Sequence, residues 1–290
     1  MRKIDALDQI IKKIRVKPNA DIRLRHIDPN DVSLFKGSKK DAAKTVSSLR
    51  RDLDELQEML YINGSHKVLI VLQGMDTAGK DGTIRHIFRG VNPQGVKVRC
   101  FKEPTPEELK HDFLWRIHQH VPAKGEIMIF NRSHYEDVLI VRVHNLVSAG
   151  VWQKRFDHIN AFERMLADEG TVILKFYLHV DPQEQLERIR KRVDKTRKNW
   201  KLSEADLSER KLWPEYIEAY QDLLRKTSTP AAPWYVVPAN KKWYRDLVIA
   251  GVITKTLKEL KLAYPKAGVD LAQFKKRLQK ERAITWSGVN

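Results

Sequence analysis

KVLIVLQGMDTAGKDGTIR, residues 67–85, sets a short unbroken apolar run directly before a glycine-rich turn and a lysine. Lys67 to Gln73 has the β-branched and aliphatic pattern of a strand buried on both faces, which implies a parallel sheet. Gly74, four residues, Gly79 and Lys80 follow, and a helix then begins. Glycines placed there let backbone amides turn inward around phosphate oxygens, the helix offers its positive N-terminus, and Lys80 supplies a mobile cation. A plain strand-to-helix turn explains the glycines but not a lysine at the helix start. The stretch predicts a phosphate-binding loop in which Gly74, Ala78, Gly79, Lys80, Asp81, Gly82 and Arg85 surround the anion.

One departure from the usual pattern matters. Asp81 stands where most nucleotide triphosphatases carry a magnesium-binding Ser or Thr, and Asp76 lies inside the loop. Two carboxylates repel bare phosphates, so Asp76 and Asp81 make sense if Mg2+ or neighbouring bases neutralise them. The alternative for Asp81 is a first-turn acid that complements the helix dipole.

Working outward, residues 1–40 read as a polar, irregular arm. Asp41 is expected to cap a helix with Val46, Leu49, Leu53, Leu56 and Leu60 on one face, ended by Gly64. Beyond the loop the pattern gives a helix at 80–89, a strand at 96–101, a helix from Thr105 to Gln119 opening on Pro106, and a strand at 125–130. It continues with a helix from Trp152 to Asp168 and a strand from Thr171 to His179. Asp181 and Pro182 then start a helix that grows basic towards Lys201. A helix at 212–225, a strand at 234–237 and a helix at 243–260 complete a domain at 41–264, and the tail at 265–290 holds a peripheral helix at most. Such alternation calls for a doubly wound α/β sheet with ligands beyond the carboxyl ends of its strands.

The 290 residues carry 54 Lys+Arg against 37 Asp+Glu, a net charge of +17 that suits a polyanionic ligand. A hydrophobic fraction of 42% excludes a disordered tail protein. The single cysteine, Cys100, gives neither a disulfide nor a zinc site. The longest apolar runs fall far short of the roughly twenty residues that span a bilayer, and charges interrupt the N-terminal segment where a secretory signal needs an apolar core. A cytoplasmic protein without membrane contact is expected.

The second strand end carries FNRSHYEDVLIVRVHNLV. Arg132 can stabilise transferring phosphate oxygens through paired hydrogen bonds, and Glu136 or Asp137 can meet a metal or an acceptor group. For the two acids a surface-helix reading stays open. Asn131 occupies a place where a second metal carboxylate would be expected. From Arg188 to Lys201, RIRKRVDKTRKNWK holds eight cations and one acid. That density suits a mobile lid over a phosphate site, at about 188–211, with Arg188, Arg192, Lys198 and Lys201 gripping the anion. A solvated face or a nucleic-acid patch are the alternatives, the latter weakened by the lone aromatic Trp200. His118 and His120, two apart, fall on different sides of a helix and read as structural.

GMDTAGKDG, EPTPEEL, FNRSHYEDVLIVRVHNLV, FERMLADEG, NWKLSEADL and APWYVVPANKKWYR together resemble the polyphosphate kinase 2 family, over roughly Arg15 to Tyr264. HYEDVLIVRVHNLV looks most like its class III. The resemblance implies a P-loop kinase fold related to thymidylate kinase, and reversible, magnesium-dependent phosphoryl transfer between inorganic polyphosphate and AMP or ADP, giving ADP or ATP. It also implies a homo-oligomer, a dimer or tetramer. By matching motifs, Asp76 and Lys80 are the loop's catalytic pair, Arg132 the strand-end cation and 188–201 the lid. Two rivals share some of these features: an ATP-dependent nucleotide or nucleoside kinase, and a nucleic-acid-binding protein with a vestigial loop. The first does not require so extended a basic surface, and the second does not explain Asp76 and Asp81 beside Lys80.

Overall fold

β1 (Lys67–Gln73) is buried from Val68 onward because it lies at the centre of five parallel strands. In space the order is β2 (Val96–Cys100), β3 (Ile127–Asn131), β1, β4 (Thr171–His179) and β5 (Trp234–Pro238). Ile70 of β1 faces Ile129 on one side and Leu174 on the other, so branched side chains fill the middle of the sheet. The computed structural model describes residues 3–281.

Two helical layers cover this sheet. On one face lie α1 (Lys3–Ile14), α2 (Lys39–Asn63), α3 (Lys80–Ile87) and α10 (Lys242–Glu259), with α2 and α10 packed along each other. On the other lie α5 (Ile140–Val143), α6 (Ala149–Asp168) and α9 (Trp213–Thr227). The chain leaves β1 towards β2 and leaves β3 in the opposite sense towards β4. The carboxyl ends of β1 and β3 therefore open a crevice between diverging connections, where a doubly wound sheet takes its ligand. The P-loop kinase fold expected from the sequence is the fold observed.

Several boundaries differ from expectation, each for a local reason. Ser38, not Asp41, is the N-cap of α2, and Asp41 closes a capping box by accepting from the Ser38 N–H. Gly64 ends the helix in the left-handed conformation, as expected. The helix expected from Thr105 to Gln119 does not form. Thr105 and Glu108 form a capping box, but only a 3-10 turn at Glu108–Lys110 follows it; the Asp112 carboxylate then takes the Leu114 N–H ahead of the short α4 (Trp115–His118). The basic helix α7 (Pro182–Val193), capped by Asp181, stops early. A 3-10 stretch at Thr196–Lys201 and α8 (Ala205–Lys211) follow it. In the tail, α11 (Leu271–Leu278) is exposed throughout.

The N-terminal arm is the larger correction. Leu7, Ile10, Ile11 and Ile14 recur at helical spacing in α1, and Ile10 and Ile14 are buried against the body of the domain. The chain then runs beside β5, where the Val16 N–H donates to the Trp234 carbonyl (2.9 Å) and Arg15 bridges Tyr235, so the outer side of that strand is covered. Charged residues between the isoleucines hid this pattern.

Leu53, fully buried on α2, makes the α2 and α10 packing testable. Leu53→Ala lowers the unfolding free energy by about 2–5 kcal/mol, read from urea denaturation.

Candidate active site

The glycine-rich loop is shaped from behind. Gly74 has φ 149°, and a Cβ there would lie 2.8 Å from the Leu178 carbonyl oxygen. Gly79, at φ 108°, caps α3, and a Cβ there would stand 2.1 Å from Nη1 of Arg245. Between them the carbonyls of Asp76, Thr77 and Ala78 are drawn backward. Gln185 donates to Asp76 O (3.0 Å), Arg188 to Thr77 O (3.1 Å) and Ala78 O (2.6 Å), and Arg245 also reaches Ala78 O (3.5 Å). Because each peptide is planar and trans, the N–H groups of Thr77 and Gly79 point away from these donors, while the Ala78 N–H bonds the Met75 carbonyl (3.0 Å).

Arg188 therefore departs from its expected place in a lid. Its remaining donors go to Ala239 O, Asn240 O and Glu184, so the whole guanidinium is spent on protein and buried. It is a strut under the loop. Neither Gln185 nor Arg245 was singled out by sequence spacing, since their partners lie over a hundred residues away.

Lys80, the first residue of α3, is buried and folds back to donate to Gly74 O (2.6 Å). Burial and the Arg132 charge bring its pKa down to about 8, with Asp76, Glu136 and Asp81 pulling the other way. Asp76 accepts from Arg132. Burial opposes its ionisation, but Lys80 and Arg132 outweigh burial and hold it below the usual carboxylate range. Arg132 has φ 61°, a left-handed backbone that bulky side chains rarely adopt. Asp81 is gripped from two sides, by Lys201 Nζ (2.8 Å) and by the Asn131 amide (2.7 Å). These bonds hold it ionised against its partial burial. Asn131 thus orients the acid instead of adding a second carboxylate.

The neighbouring acids part ways. Glu136 lies in the field of Arg132, Lys80 and Asp76, and its burial raises its pKa. Asp137 pairs with Arg155 (3.2 Å) and Arg116 (3.8 Å), and burial lifts it to about 6. Its partners are thus not the loop cations. Arg85 and Gly82 sit on α3, Arg85 exposed and Gly82 beside Arg245. Arg192 reaches Asp206 (3.5 Å), while Lys198 is exposed among Lys195, Arg197 and Lys201. Glu209 of α8 meets His144 (3.0 Å) and Tyr216 (2.7 Å), which ties the basic segment to the far side of the crevice.

Hard oxygen donors on Asp76 and Asp81 beside inward-turned amides suit magnesium, which takes one or two carboxylates and completes its shell from phosphate and water. Among the described residues no cluster of three or more His, Cys, Asp or Glu offers an all-protein metal cage.

The lowered pKa of Lys80 gives a signed prediction. The unfolded chain keeps that proton up to about pH 10.4 and the folded chain releases it near 8, so the unfolded state binds more protons between the two values. Wild-type stability therefore rises relative to Lys80→Met as pH goes from about 8 to 10, followed by paired denaturant titrations.

Comparison with known proteins places the geometry. The family Polyphosphate kinase 2 (PPK2) matches residues 36–265. The AMP/ADP-polyphosphate phosphotransferase of Meiothermus ruber is 55% identical over 255 residues, 88% of this chain and 96% of that protein. The ADP-polyphosphate phosphotransferase of Rhodopseudomonas palustris is 44% identical over 249 residues, 82% of this chain and 86% of that one. The crystal structure of Polyphosphate Kinase 2 from Arthrobacter aurescens TC1 superposes with a TM-score of 0.90 at 41% identity, covering 93% of this chain and 96% of the other. The match takes in the whole sheet, the loop and the basic segment; this chain belongs to the polyphosphate kinase 2 family and is a phosphotransferase of that type.

Proposed function

We propose that this protein moves the terminal phosphoryl group of inorganic polyphosphate onto AMP and ADP, reversibly and with magnesium, forming ADP and ATP. The observation that carries the reading is the meeting of Lys80, Arg132, Asp76 and Asp81 at the carboxyl ends of β1 and β3, with the basic segment 190–201 alongside. The identity to relatives named for AMP and ADP supports the choice of acceptors.

A nucleotide phosphate is already ionised, so the acceptor needs no general base, and positioning plus charge stabilisation suffice. The amides of Thr77 and Gly79 and the start of α3 receive phosphate oxygens. Lys80 and Arg132 neutralise the charge that spreads over the transferring group, and Arg132 leaves Asp76 to do so. Asp76 and Asp81 would hold magnesium, whose charge offsets that of the bridging phosphates. Arg192, Lys198 and Lys201 line the donor chain. Among the described residues no helix is long and apolar enough to cross a membrane. A cytoplasmic homo-oligomer that uses no nucleic acid completes the proposal.

With polyphosphate, magnesium and no ATP, the purified protein converts AMP to ADP and ATP, resolved by chromatography. Lys80→Ala, folded by circular dichroism, loses a hundredfold or more of that turnover, on the order of other lost oxyanion donors. Strict need for ATP instead of polyphosphate would make it an ordinary nucleotide kinase.

The donor surface is read by salt. Apparent polyphosphate affinity falls steeply with ionic strength while that for AMP changes little, and joint replacement of Arg192 and Lys198 by Ala flattens the polyphosphate slope. Equal loss for both substrates would place the segment over the acceptor as well.

Glu136 tests acceptor choice. Glu136→Asn changes the ratio of AMP to ADP turnover at saturation more than it changes the Michaelis constant for polyphosphate. An unchanged ratio would remove Glu136 from the acceptor side.

A further inference from the structure

Beneath the crevice, and outside every role described so far, lies a closed set of buried polar groups. Lys175 of β4 is fully buried and uses all three of its hydrogens, donating to Glu163 of α6 (2.5 Å), to the Tyr135 hydroxyl (2.8 Å) and to the Thr227 carbonyl at the end of α9 (2.7 Å). The Tyr135 hydroxyl donates to the other Glu163 oxygen (2.7 Å), and His134 Nε2 lies 3.3 Å from that same atom. Trp234 of β5 closes the ring by donating to the Thr227 hydroxyl (2.8 Å). Five separate pieces of chain thus meet at one ion pair.

A buried ion pair contributes little net stability compared with apolar packing of the same volume, because both charges give up water. Its distinctive property is that it tolerates few geometries. The turn at His134–Val138 is tied to the pair through both His134 and Tyr135. Tyr135 stands three residues after Arg132 and directly before Glu136. Ser133 reinforces the same turn, accepting from the Tyr135 N–H and from Gln73 at the end of β1 (both 3.2 Å). The anchor therefore fixes the backbone between the left-handed Arg132 and Glu136, the two groups whose charges act on Lys80.

We propose that the Glu163–Lys175 pair, acting through the Tyr135 hydroxyl, is a positioning device that holds Arg132 and Glu136 in register with the phosphate loop. The proposal rests on the phosphotransfer reading above for its kinetic arm only. Tyr135→Phe removes one hydroxyl and keeps the ring packed against Trp234, so the fold survives. Turnover with AMP and with ADP falls about tenfold or more, as expected for a misplaced catalytic group, while the polyphosphate Michaelis constant stays within about twofold. Amide hydrogen exchange quickens in peptides spanning 132–138 and not in peptides of α10. Leu53→Ala, in the opposite helical layer, calibrates how much lost stability alone changes turnover.

A second pair of variants tests the charge logic. Lys175→Met leaves the Glu163 charge without its counter-ion, and adding Glu163→Gln removes that charge while keeping an acceptor for Tyr135, so the double variant turns over faster than the single one. Wild-type exchange in 132–138 of Tyr135→Phe would overturn the proposal. A turnover loss no larger than that of Leu53→Ala, or a double variant no faster than Lys175→Met, would do the same. If the wild-type protein transfers nothing from polyphosphate, the functional reading fails and the exchange comparison alone judges the positioning role.

Discussion

The phosphate loop exists in its observed shape because its carbonyls are tied down. Backbone carbonyls turned towards an anion would repel it, and nothing intrinsic to a glycine-rich turn prevents that. Arg188 resolves the conflict with a planar guanidinium whose five donors span Glu184, two loop carbonyls and two carbonyls after β5. An ammonium has three donors and no fixed plane, so Lys cannot make the same connection. The strut also joins the loop to the far edge of the sheet, so the orientation of the amides depends on the register of β4 and β5.

Around that frame the site balances opposite charges at short range. Arg132 answers Asp76, and Lys201 answers Asp81, while Lys80 is held among all three acids. The crevice is thus balanced from within, each acid by a neighbouring cation.

Much of the fold was legible because parallel strands leave long apolar runs; Lys67–Gln73 and Thr171–His179 match their sequence readings residue for residue. What escaped had local or distant causes. Between 105 and 119 the helix signals were present, a capping box at Thr105 and Glu108 included, but the chain turns again at Asp112, whose carboxylate takes the Leu114 N–H. In the site, the spacing of Gly74, Gly79 and Lys80 was readable because one stretch of chain makes it. The strut was not, since a run of eight cations gives no sign that its first member is buried under a loop 110 residues earlier. Glu136 and Asp137 are adjacent in sequence, and only the surrounding arginines separate their surroundings.

The helix that covers the last strand has a consequence for biogenesis. Ile10, Ile14 and Val16 pack against the neighbourhood of Trp234 and the helix after it, more than two hundred residues downstream. At synthesis rates of about 5–20 residues per second, the opening helix leaves the ribosome roughly 10–40 s before its partners exist. During that interval its isoleucine face is available to chaperones or to a neighbouring nascent chain. The same contact means that the outer side of the sheet cannot be sealed before the last strand has been translated.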